Sequence, residues 1–120
     1  MSPEWGDIDE KIKQMSRAKA AEWESHKRQL LSGGRDDIVA AVEQLVDIGV
    51  REGSYGEATT AGTRAREIGE EINRSGGFRM MQEVHKLFVL ALFSKTEYEQ
   101  AASLSRKLES AWHGIGSWLG

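Results

Sequence analysis

Two pairs of side chains stand at a spacing that could do chemistry. Glu22 and His26 are four residues apart, and so are Glu109 and His113. On a helix such residues share a face, so each pair could offer an oxygen and a nitrogen to a metal ion. Glu67, Glu70 or Glu71 could add carboxylates. A di-iron bundle, however, needs Glu-x-x-His at a spacing of three, twice, and the chain has no such motif. The simpler reading of both pairs is as contacts that stabilise a helix surface. His85 sits beside an apolar run, with no serine, cysteine or paired carboxylate placed by motif to work with it. It reads as a structural histidine. No cofactor is implied.

Other residues could bind rather than react. Ser32-Gly33-Gly34 and Ser75-Gly76-Gly77 each lead towards a helix start with Arg35 or Arg79 nearby. Exposed N–H groups and the helix dipole favour anions there, so Gly76, Gly77 and Arg79 form a candidate anion site. The strand and the Gly-Lys-Ser/Thr of a P-loop are missing, and glycine at a helix end has a sufficient backbone reason. Arg64 and Arg66 are interleaved with Glu67, Glu70 and Glu71, which reads as a solvated mixed face or as charges that orient a partner. Trp112, Ile115 and Trp118 lie near the C-terminus. They are either the last plug of the core or anchors in an interface.

Helices must position these groups. Ile8, Ile12, Met15, Trp23 and Leu30 recur at helical spacing and predict a long first helix over 7–31, preceded by a loose arm at 1–6. Ile38, Val39, Val42, Leu45, Val46 and Val50 predict a second helix from 36 to 52, ended by Gly53. Ser54 with Glu57 reads as a capping box for a third, whose face is Ala58, Ala61, Ala65, Ile68 and Ile72. Gly62 and Gly69 beside that face would let a neighbour come close. Gly76-Gly77 is expected to end it. Phe78 opens a fourth helix, with Met81, Val84, Leu87, Phe88, Ala91 and Leu92 inward. Thr96 with Glu99 reads as the box of a fifth, with Ala101, Leu104, Leu108, Ala111 or Trp112, and Ile115 on its stripe.

Composition excludes several classes. The 120 residues suit one domain with a modest core. The net charge of −3, with both signs mixed along the chain, argues against a nucleic-acid binder, which needs a basic face, and against an anionic membrane surface. There is no cysteine, hence no disulfide or thiolate chemistry. The N-terminus lacks the basic and apolar regions of a secretory signal, and the longest apolar run, Leu87 to Phe93, is too short to span a bilayer. A soluble, cytoplasmic protein is the expectation.

The chain repeats itself at an offset of 43 residues. Ser32-Gly33-Gly34 matches Ser75-Gly76-Gly77, and Val46, Tyr55, Ala58 and Ile72 match Val89, Tyr98, Ala101 and Ile115. Apolar positions correspond between them, which implies one helical hairpin used twice, over 35–74 and 77–120, in the size range of helical arrays. Arg64-Ala65-Arg66-Glu67-Ile68-Gly69-Glu70 resembles the second helix of a HEAT repeat, and Gly76-Gly77-Phe78 is similar to the start of armadillo helices. The resemblance covers 35 to 113 at most and lacks the usual proline of the first HEAT helix. The tail from Ala111 to Trp118 also looks like the ends of small bacterial proteins of unassigned function. The repeat resemblance implies a right-handed α–α superhelical stack whose usual work is binding other proteins. The expectation is therefore an all-α, five-helix domain: a long capping helix and two hairpins. It would bind another protein, or itself, without catalysis. Trp112, Ile115 and Trp118 would supply anchor area, and Arg64 and Arg66 orientation. The alternative is a small helical enzyme or metal-binding bundle using Glu109, His113 and glutamates of the third helix.

Overall fold

A computed structural model describes residues 3–119. They form four helices, α1 (Pro3–Ser32), α2 (Asp36–Glu52), α3 (Thr60–Leu92) and α4 (Tyr98–Ala111), with no strand among the described residues. The expected count of five is corrected because the third and fourth expected helices are one kinked element. At Gly77 the backbone leaves helical geometry (φ 70°, ψ −163°) and α3 then runs on.

The first helix starts earlier than the sequence pattern indicates. Pro3 opens α1 instead of lying outside the helices, so residues 3–6 of the expected loose arm are helical, and its residues 1–2 lie outside the described residues. Proline is well suited there, since its fixed φ is helical and its missing N–H would have had no partner. The second helix begins and ends where its pattern says. Gly53 closes it in the left-handed conformation, its N–H bonded to the Gly49 carbonyl.

Both expected capping boxes are misplaced. The N-cap of α3 is Thr59, whose hydroxyl accepts from the Gly62 N–H (3.0 Å). Ser54 to Ala58 form the connecting loop, and Ala58 stands exposed with φ 64° instead of joining the inner face. Before α4 the cap is Glu97, and the Thr96 hydroxyl donates to the Gln100 side chain. The loop is held by Tyr55, whose ring is buried against Phe88 and whose hydroxyl donates to the Leu45 carbonyl. The chain crosses the core at Tyr55 before it can start a helix.

The core lies between α2, both halves of α3, and α4. Val42, Leu45, Met81, Val84, Phe88, Leu92, Leu104, Leu108 and Trp112 are sealed from solvent. Ala61, Ala65, Ile68 and Ile72 form the inner face of α3 before the kink, as their spacing implies. What the small-residue face admits is an indole: a Cβ on Gly69 would lie 2.6 Å from Trp112 Nε1. Of α1, Trp23 enters the core and Leu30 packs against it. No helix among the described residues is long and apolar enough to cross a membrane.

Candidate functional site

The tail folds back. Trp112, Ile115 and Trp118 retain 0%, 4% and 8% of their exposure, so none of them presents an apolar face to solvent. The Trp112 indole N–H donates to the Ala65 carbonyl and that of Trp118 to the Glu109 carbonyl, each at 2.9 Å. The two rings meet edge to face, 5.2 Å apart, and Phe78 covers Trp118 from the far side of the kink. Successive turns from Trp112 to Trp118, ending with the Gly114 N–H on the Trp118 carbonyl (2.9 Å), close the tail on itself. Indoles placed this way bury a large apolar area with their one donor satisfied.

Arg66 belongs to the same closure. Its guanidinium donates to the carbonyls of Ala111 (2.7 Å) and His113 (3.0 Å), where α4 ends and leaves carbonyls without helical partners. Arg64 lies on the surface, paired with Glu67 (3.2 Å) and donating to the Gln44 side chain (2.9 Å). Gly76 and Gly77 lie inside α3 at the kink, with Arg79 exposed two residues on. The separate helix start expected to hold an anion is a bend within one element.

Of the two Glu/His pairs, Glu22 and His26 line one cleft together, whereas Glu109 and His113 are drawn apart. His113 Nδ1 reaches the Leu119 carbonyl (2.8 Å), while the Glu109 carboxylate lies 3.8 Å from His85 Nε2. His85 is nearly buried among Phe88, Trp112 and Trp118, and its Nε2 meets the Ser105 carbonyl at 3.1 Å. A carbonyl only accepts, so that nitrogen carries the proton. Glu67, Glu70 and Glu71 are exposed on α3. Among the described residues no three His, Asp or Glu side chains converge as a metal site would require.

Two clefts among the described residues stand out by size. One, of about 710 Å³, lies between the 53–59 loop and α4 and is lined by Arg66, Arg106, Lys107 and Glu57. Two of these cations have structural work: Arg66 holds the end of α4, and Lys107 Nζ donates to the Gly53 carbonyl (2.9 Å). The other, about 630 Å³, runs between α1 and α3 over Leu30, Leu87 and Leu90. Its rim carries Lys19 and Lys86 against Glu22 and Glu83, and its third cation, Arg35, is paired with Asp37 (3.2 Å), so it favours neither sign of charge strongly.

The surface that sequence reasoning passed over is the first half of α1. Lys19 lies over the Phe93 ring, 5.9 Å from its centre, at the end of α3, and Lys27 pairs with Glu43 of α2 (2.9 Å). Towards the N-terminus, Ile8, Ile12 and Met15 continue the apolar stripe, yet none of them belongs to the core or packs against it. Ile8 is 47% exposed, and Ile12 and Met15 are half-buried. The sequence signal was present in the stripe itself, which the spacing assigned to the body. Comparison with protein-family models, curated proteins and solved structures finds no match to this chain.

Proposed function

We propose that the protein is a non-catalytic interaction module, a helical body carrying one long helix with an uncommitted apolar stripe. The observation that carries this reading is the placement of Ile8, Ile12 and Met15 on one face of α1 and outside the core. A helical segment of this length is marginal in water by itself and gains most of its stability by burying an apolar face. The chain itself covers Ile12 and Met15 only in part and leaves Ile8 47% exposed, which leaves room on this face for another chain. In this reading α2 with the first half of α3, and the second half of α3 with α4, are the two units of a HEAT-like scaffold. α1 packs on α2 of the first and on the second half of α3, and reaches past both. The metal-binding alternative would need three ligating side chains turned into one space, whereas Glu109 and His113 are each engaged elsewhere.

Thermal melts at micromolar concentration test the reading. Replacing Ile8→Glu and Ile12→Glu together is expected to move the melting temperature by no more than about 2 °C, as for other substitutions outside a core. Zinc, iron and manganese are expected to leave it unchanged, since a ligand bound only by the folded state would raise it. A fall of about 8 °C would make the stripe part of the fold, and a metal-dependent rise would make the protein a metal binder. Either result ends the interaction reading.

A further inference from the structure

We infer that the chain docked on α1 is a second copy of this protein, lying antiparallel along the first half of that helix. The inference rests on the interaction reading and adds the identity and direction of the partner. It comes from the order of charges. Asp7, Asp9 and Glu10 stand together with no base among them. Lys11, Lys13, Arg17 and Lys19 follow with no acid before Glu22. At 100° per residue, Lys11 borders one side of the Ile8–Ile12–Met15 stripe with Asp7 about 40° beyond it, and Asp9 borders the other side with Lys13 about 40° beyond. All four charged residues are exposed.

Two such helices running in opposite directions bring together four opposite-charge pairs against two like-charge approaches, Lys11 to Lys11 and Asp9 to Asp9, across the two-fold axis. Ile8 of each copy meets Ile12 of the other. Asp7 comes beside Lys11 of the second copy, and Asp9 beside its Lys13. The same contacts recur through the two-fold axis, so the surface is self-complementary and closes at two chains. Running in the same direction, the helices would set acidic turn against acidic turn and basic against basic. Flanking charges of this kind fix orientation in paired helices. Three apolar side chains per copy bury much less than a standard stable interface. Pairing is therefore weak, dependent on concentration and reduced by salt.

Charge exchange tests this directly. Light scattering on the parent chain is expected to show the mass rising from one chain towards two between micromolar and millimolar concentration. Asp7→Lys with Asp9→Lys, and separately Lys11→Glu with Lys13→Glu, each weaken pairing by about tenfold or more, because four exposed pairs turn from attraction to repulsion. An equimolar mixture of the two variants regains it. Circular dichroism on each variant checks that the helices are intact. A parent that stays monomeric at millimolar concentration overturns the proposal. So does a mixture that stays monomeric while the parent pairs, or pairing that survives Ile8→Glu with Ile12→Glu. The melts above separate the two failures: a monomeric parent whose stripe variants melt normally loses the second copy as partner, and a parent destabilised by them loses the interaction reading too.

Discussion

At the residue scale, Tyr55 does more than its place in a loop suggests. Burial alone pushes its phenol well above the ordinary tyrosine range, because an ionised oxygen in the core would lose its water. A group whose folded pKa is raised contributes stability that is complete below the unfolded value, near 10, and is lost as pH rises beyond it. Tyr55→Phe should therefore cost about 1 kcal/mol at neutral pH, from the missing bond to Leu45. The deficit should shrink and reverse as pH passes about 10, which urea midpoints for parent and variant across that range would show. A deficit constant with pH would mean the phenol does not ionise at the fold's expense. Residue identities of this kind were half legible in the sequence. Gly69 was readable as a site of close approach, but the approaching group is the Trp112 ring instead of a neighbouring backbone. Trp112 and Trp118 were readable as either plug or anchor. Their indole N–H groups choose between the two by meeting carbonyls forty-seven and nine residues away, which no local pattern contains.

At the element scale, the triplet Ser-Gly-Gly has two outcomes in one chain. After α1 it makes a full turn, with the Gly33 N–H on the Gln29 carbonyl and the Arg35 N–H on that of Leu30. Within α3 it makes a bend. A glycine pair permits both. The difference lies in the flanking faces, since Ile68 and Ile72 before the bend and Met81 and Val84 after it enter one core. A helix that serves one core on both sides of a glycine has no reason to turn back. This is why the number of helices was misread while the apolar faces of α2, of α4 and, Ala58 apart, of both halves of α3 were read correctly. The capping boxes failed for a related reason: Tyr55 anchors the loop in the core and delays the start of α3 to Thr60. Gly77 occupies a conformation that is essentially confined to glycine, and a Cβ there would touch nothing within 4 Å. Gly77→Ala should accordingly cost about 1–3 kcal/mol by backbone strain alone, read as a lower urea midpoint. If stability is unchanged and tryptophan fluorescence shifts instead, α3 has straightened and moved Phe78 off Trp118.

At the scale of the whole molecule, stability is distributed unevenly along its longest helix. α1 is about 45 Å long at 1.5 Å per residue, close to the longest extent of the molecule, 51 Å. Its second half is tied down by Trp23, Lys27 and Leu30, whereas the stripe of its first half lies outside the core. Helical hydrogen bonds that no packing supports open at little cost, and buried ones open only with the global transition. Amide exchange at micromolar concentration should thus be fast from about residue 7 to 15 and slow across α2, the buried parts of α3, and Leu104 and Leu108 of α4. Raising the concentration should slow exchange in the first segment alone, because pairing gives those residues the burial that the body does not. Salt should undo the protection, since the flanking charges are exposed and screened. Protection of the first half of α1 that is already complete in dilute solution would show that the body itself holds the helix. The stripe would then be a seam of the fold, and the charge blocks beside it ordinary surface.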